Sequence, residues 1–83
     1  MNVRNPFTVR ATWDEEAKVW VATSDDVPGL AVEAKNCDAL IKKLTVVIPE
    51  LLEANGLVPN SVSEVPVEIV SKLSMKAKVR ELA

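Results

Sequence analysis

The side chains that could do chemistry in this chain are its carboxylates and one thiol. The 83 residues include no histidine and no tyrosine, and Cys37 is the single cysteine. Histidine is the commonest general base and metal ligand, and a cysteine without a neighbouring histidine lacks the usual route to becoming a nucleophile. We therefore expect no catalytic residue, no metal and no cofactor, and we do not expect an enzyme.

The carboxylates that cluster in the sequence form two groups, Asp14 to Glu16 and then Asp25 and Asp26. A short β-branched segment separates the groups, so a sheet would hold them at opposite ends of one strand. They could not easily share one metal ion from there. Acidic residues in turns are usually solvated, and this is the favoured interpretation of both groups.

Two segments, residues 7–13 and 18–24, alternate between apolar and polar residues with the period of half-buried strands. Their relative register decides which face each side chain occupies, since a slip of one residue inverts every side chain. A loop with an even number of residues would place Trp20 on the same face of the sheet as Trp13, and Val19 and Val21 on the opposite, outer face.

A loop with an odd number of residues would instead place Val19 and Val21 on the same face as Trp13. This arrangement is favoured because it buries two β-branched residues and leaves the polar ones outside. Trp20 is then predicted to lie on the opposite face, beside Arg10.

An exposed tryptophan next to an arginine has the composition of an interface anchor, because both residue types are enriched at binding hot spots. We predict that this face binds a partner, which includes a second copy of the chain. The predicted partner-binding residues are Arg10, Trp20, Asp25 and Asp26.

A corner and a helix follow the two strands. Pro28 and Gly29 are predicted to turn the chain before a short third strand from Leu30 to Glu33, since proline fixes its own φ and glycine tolerates a positive φ. Asn36 is a plausible N-cap, and Asn55-Gly56 is a typical helix end.

Within the helix, apolar residues recur at three- and four-residue spacing, which indicates an amphipathic helix. Pro49 removes one backbone hydrogen bond, so we expect either a kink or a fresh helical turn there. The predicted core residues are Val9, Trp13, Val19, Val21, Leu30, Leu40, Leu44, Val47 and Leu51.

A last strand is predicted to begin at Val67 after a proline-containing loop, residues 57–66. A single strand running on to Val79 would be unusually long, so residues 72–83 could be a strand, a tail or an element between chains. The element order is then βββαβ, with one helix on one face of a small sheet, which is an α+β fold.

The length of 83 residues predicts one small domain, residues 1–83, which is too short to include a separate DNA-binding domain. Hydrophobic residues make up 48% and charged residues 27%, and the net charge is −2. Residues 1–71 carry a net charge of −5 and residues 72–83 a net charge of +3. A domain of this size buries only about 60% of its unfolded surface, so a homodimer or higher homo-oligomer is expected. One cysteine and no apolar targeting segment favour the cytoplasm.

The chain resembles the HicB-like antitoxin family, and within it the small branch known as a domain of unknown function. The resemblance covers most of residues 7–56. The segments that carry it are Ala11-Thr12-Trp13-Asp14, Val19-Trp20-Val21-Ala22, Ser24-Asp25-Asp26-Val27-Pro28-Gly29-Leu30, Glu33-Ala34 and Val47-Ile48-Pro49-Glu50-Leu51-Leu52.

This resemblance implies a truncated ribonuclease-H-like fold whose sheet runs in the order third, second, first, fourth strand. It also implies a function: binding and neutralising a small, basic, mRNA-cleaving toxin of the HicA type. Direct DNA binding is not expected, and neither is membrane association. The alternative is an orphan homo-oligomeric or nucleic-acid-binding domain of ribonuclease H descent.

Overall fold

Four strands and one helix make up the part of the chain that the computed structural model describes, residues 6–58 and 64–80. The elements are β1 (Phe7–Asp14), β2 (Val19–Thr23), β3 (Ala31–Ala34), α1 (Cys37–Ala54) and β4 (Val67–Lys72). The predicted α+β fold class is confirmed. The loop expected at residues 57–66 lies partly outside the described residues, as do the ends of the expected domain.

The sheet has the order β3-β2-β1-β4. β1 and β2 pair antiparallel, as do β2 and β3, while β4 pairs parallel with β1. A parallel neighbour needs a crossover connection, and α1 supplies it. The strand order that the resemblance implied is confirmed.

The register of β1 on β2 is the opposite of the favoured prediction, which is wrong. Trp13 lies directly opposite Trp20, and Ala11 lies opposite Ala22. Since Asp14 pairs with Val19, four residues form the loop between the paired positions. This is an even number, so both tryptophans share the face that carries α1.

Hydrogen bonds at the hairpin tip account for the four-residue loop. The Asp14 carboxylate accepts the backbone N–H groups of Glu16 and Ala17 at 3.0 and 3.1 Å. Lys18 then closes the turn with its own N–H on the Asp14 carbonyl at 2.8 Å. Lys18 has a φ of 58°, an uncommon conformation for a residue with a side chain, and nothing in the alternating pattern signals it.

Packing under the helix explains why this register is preferred. Three alanines lie on the helix side of the sheet, with Ala11 3%, Ala22 0% and Ala34 6% exposed. Small residues let the helix approach the sheet closely, whereas the alternative register would place Val21 in the same space. Val19 and Val21 instead lie half-buried on the opposite face.

The two tryptophans form one aromatic pair at the edge of this core. Their rings meet edge to face with centroids 5.5 Å apart and an interplanar angle of 61°. Trp20 packs against the core cluster, and Trp13 is half-buried beside it. Trp20 is therefore not the exposed residue that the predicted register required.

The helix begins and ends where the sequence predicts. The Asn36 side chain accepts the N–H of Ala39 at 2.8 Å, and Asn55 is the C-cap, followed by Gly56 with a φ of 66°. α1 continues through Pro49 as one element, so no new helix starts there. The helix is not long and apolar enough to cross a membrane, and it is the single helix among the described residues.

The buried face of α1 repeats every four residues and packs on the sheet. Val47 and Leu51 flank that row and are half-buried against the core. The row and the strand residues beneath it form one core cluster. Its members are Phe7, Val9, Ala11, Ala22, Val27, Leu30, Ala34, Leu40, Leu44, Ile48 and Leu52.

The observed register predicts how two neighbouring residues of β2 respond to truncation. Trp20→Ala should lower the free energy of unfolding by about 2–4 kcal/mol, because it leaves a cavity beside the core. Val21→Ala, on the helix-free face, should cost less than about 1 kcal/mol. Urea denaturation of both variants measures the difference. Equal losses would contradict the register.

Candidate interaction surface

A serine and an aspartate join the end of β2 to the start of β1. The Ser24 hydroxyl donates to the Thr8 carbonyl and accepts the N–H groups of Asp26 and Val27 at 3.0 and 3.2 Å. The Asp26 carboxylate accepts the Thr8 N–H at 2.7 Å. These bonds continue the β1–β2 ladder by one further step with side chains, so Asp26 has a structural role in addition to its predicted one.

The Pro28-Gly29 corner has the pattern of a type II turn. The Leu30 N–H donates to the Val27 carbonyl at 3.2 Å, with proline at the second position and Gly29, φ 85°, at the third. A Cβ on Gly29 would lie 3.7 Å from Leu51, which is ordinary contact, so backbone conformation is what requires glycine here. The turn that the sequence predicts at Pro28-Gly29 is present.

Val27 is a core residue that the sequence-based core list omits. Its side chain is 0% exposed, and Leu30 at the other end of the turn is 5% exposed. In the sequence, the one sign that Val27 is buried is its apolar side chain between two aspartates and a proline. The corner is therefore anchored in the core, which holds the aspartates in fixed positions at the surface.

Arg10 and Asp25 lie together on the helix-free face of the sheet, defined by the strand residues that point away from α1. Arg10 Nη2 is 3.4 Å from Asp25 Oδ2, and the two side chains are 59% and 87% exposed. An ion pair this exposed contributes little to stability. Both charges remain accessible to a partner, which agrees with their predicted positions.

The structure thus brings together three of the four predicted partner-binding residues. Arg10 and Asp25 contact each other, and Asp26 follows directly in the corner. Trp20 is separated from them by the sheet itself, because it lies on the helix side. No cluster of three metal-ligating side chains occurs among residues 6–58 and 64–80.

At the opposite end of β1, Glu15 accepts two hydrogen bonds. Lys18 Nζ donates to one carboxylate oxygen and Trp13 Nε1 donates to the other at 2.8 Å. The hydrogen bond from Lys18, then that from Trp13, lower the pKa of Glu15 below its ordinary value. The Glu15 side chain is 74% exposed. Its role is to fix the hairpin tip.

A groove of about 450 Å³ lies between α1 and β4. It was not predicted from the sequence, because it depends on where the helix crosses the sheet. α1 packs over β2 and β3, which leaves the helix side of β4 uncovered. Residues that line the groove include Ile41, Leu44, Ile48, Val65, Val67 and Ile69.

β4 and the residues after it are exposed throughout. Every residue of β4 is exposed, including Val67 at 36% and Ile69 at 38%. Pairing with β1 ends at Lys72, and residues 73–80 continue outside the sheet. We call residues 73–80 the tail. Its apolar side chains are more exposed still, with Met75 at 78% and Val79 at 88%.

The corner geometry predicts different outcomes for its two aspartates. Asp26→Ala removes the acceptor of the Thr8 N–H and should lower the free energy of unfolding by about 1 kcal/mol. Asp25→Ala removes only an exposed charge and should change it by less than about 0.5 kcal/mol. Thermal unfolding of both variants tests this. A larger loss for Asp25→Ala would contradict the assignment.

The hairpin tip predicts a local pH effect. Because the folded-state pKa of Glu15 is lowered, its contribution to stability is present above the ordinary glutamate pKa and is lost as the pH falls through the lowered value. Lys18→Met should raise the pKa of Glu15, as followed by NMR of its carboxyl carbon. Arg10→Met, which removes a charge beside Asp25 at the other end of β1, should leave it unchanged.

Similar proteins place this chain in a family without giving it a function. The model of a domain of unknown function, DUF1902, matches residues 6–80. The crystal structure of hypothetical protein TTHA1013 from the extremely thermophilic bacterium Thermus thermophilus is 47% identical. The similarity covers 90% of this chain and 100% of that one, with a TM-score of 0.67. No curated protein matches. Since the family match spans nearly the whole sequence, the chain belongs to the DUF1902 family of uncharacterised domains.

Proposed function

We propose that this chain is a non-catalytic binding module that acts as a HicB-like antitoxin. In this role it neutralises a small, basic toxin of the HicA type by direct contact. The observation that carries the proposal is the charge balance of residues 6–71, which make up most of the chain before the tail. Residues 6–71 contain 11 acidic and 5 basic side chains. The resemblance in residues 7–56 supplies the class of partner.

The helix-free face is the surface on which we place the toxin. None of its strand residues is buried, so the face is open over all four strands. Its acidic side chains include Glu33 and Glu68, with Asp25 at the corner. Arg10 and Lys72 are the basic residues of this face, and threonine, valine and alanine lie between the charges.

Electrostatics favours a protein toxin over a nucleic acid as the ligand. A basic protein is attracted to an acidic surface, and complementary fields speed the encounter. A nucleic acid carries phosphate charges of the same sign as the net charge of residues 6–71, and its binding normally requires a basic surface. The net charge therefore supports the antitoxin role over the nucleic-acid-binding alternative.

The test is to look for an adjacent reading frame that encodes a small basic protein, and to co-express that protein with this chain; the absence of such a frame would contradict the proposal. We expect that protein alone to arrest growth, and this chain to restore growth and form a stable complex with it. A neighbour that is not toxic, or that forms no complex with the purified chain, would contradict the antitoxin role.

Charge reversal locates the contact. The double variant Asp25→Lys, Glu33→Lys should weaken the complex on the order of tenfold at low salt, and by less as salt screens the charges. Glu50→Lys, which changes an exposed charge on the solvent side of α1, is the control for net charge. Calorimetry at two salt concentrations gives both affinities. If Glu50→Lys weakens the complex as much as each of the two reversals on the helix-free face does, that face is not the contact.

A further inference from the structure

We propose that β4 and the tail pair antiparallel with the same segment of a second copy, so that each tail adds to the free edge of the other copy's β4. β4 is the last strand in the described sheet, and no described strand covers its outer edge. An exposed edge with apolar side chains on both faces is a template for another strand. This inference does not depend on the antitoxin role.

The tail has the pattern of a strand that lacks a partner. Its odd-numbered residues, Leu73, Met75, Ala77 and Val79, are apolar, while the even-numbered ones are polar or basic. The same parity holds in β4, where Val67 and Ile69 point to the helix side. β4 and the tail therefore read as one long strand, of which the sheet pairs only the first part.

The tail cannot readily fold back on its own β4. A reversal of the chain needs glycine, proline, asparagine or aspartate in a tight turn, and residues 67–80 contain none of these. The molecule accordingly extends 66 Å in its longest direction, against 24 and 19 Å in the other two. An extended tail that reaches beyond its own domain can contact a second copy.

Two-fold symmetry limits the possible registers, because residue i opposite residue j requires j opposite i. The apolar residues of both copies stay on the helix side only if one residue lies directly opposite its own copy, with the two-fold axis midway between them. An axis at Leu73 satisfies this condition. The helix-side pairs are then Val67 with Val79, Ile69 with Ala77, Ser71 with Met75, and Leu73 with its own copy.

The charges select this register among its neighbours. With the axis at Leu73, Glu68 lies opposite Lys78 of the second copy, and Lys72 lies opposite Ser74. Moving the axis to Lys72 would place two copies of that lysine together, and moving it to Ser74 would place Lys72 opposite Lys76. Like charges directly opposite each other destabilise a sheet, whereas opposite charges stabilise it.

The groove beside α1 gives the helix-side residues of the second copy a surface to pack on. In the Leu73 register, Val79 and Ala77 of the second copy lie next to Val67 and Ile69, whose side chains border the groove. Ile41, 48% exposed on the other wall, faces the same space. The pairing would cover apolar surface that each chain alone leaves in water.

The first measurement is the mass of the full chain by light scattering. We expect twice the 9.0 kDa of one chain. Glu68→Lys or Lys78→Glu alone should raise the dimer dissociation constant by about 2- to 30-fold, since each pair occurs twice. The double variant should restore it. A monomer, or a double variant no tighter than the single ones, would overturn the proposal.

A cysteine placed on the axis tests the register directly. In a Cys37→Ser background, Leu73→Cys should form an intermolecular disulfide under mild oxidation, because the two copies lie within about 5.5 Å. Met75→Cys is the matched control. In this register Met75 lies opposite Ser71, so its two copies are four residues, or about 13 Å, apart along the strand. Cross-linking at position 75 but not at 73 would overturn the register.

Discussion

The register between β1 and β2 is the constraint on which the rest of this structure depends. It is fixed at both ends of the hairpin, by the Asp14 carboxylate at the tip and by Ser24 at the corner. Between these ends it places Ala11 opposite Ala22, which makes room for the helix. A slip of one residue would point Ser24 away from Thr8 and remove this space. The polar residues of the hairpin therefore determine which apolar residues form the core.

Local signals in the sequence were sufficient to predict the elements but not how β2 faces the core. The helix caps at Asn36 and Asn55 and the Pro28-Gly29 turn depend on hydrogen bonds and dihedral angles within a few residues. The register instead depends on how closely α1 approaches the sheet, which no local pattern contains. Counting β-branched residues favoured Val21 as a core residue, yet Ala22 and the half-buried Trp20 are the residues of β2 that face the helix.

The candidate surfaces were predictable to the same limited extent. The two-residue period of β1 placed Arg10 on the helix-free face, and the corner brought Asp25 to it. Trp20 was assigned to that face only because the register was inverted. The groove beside β4 arises from the position of the helix relative to an edge strand that begins 13 residues after the helix ends. The alternation of apolar and polar residues in the tail is visible in the sequence. The uncovered edge of β4, with which a strand of that pattern could pair, is known only from the folded sheet.

The parallel pairing of β1 with β4 has a consequence for the synthesis of this protein. Phe7 pairs with Val67, 60 residues later. At about 5–20 residues per second, the ribosome takes about 3–12 seconds to make that interval. Throughout this time the residues of β4 have not all been made, so the edge of β1 that they cover in the folded sheet lacks its native partner. Translation speed therefore sets the shortest time for which that edge is open to another strand.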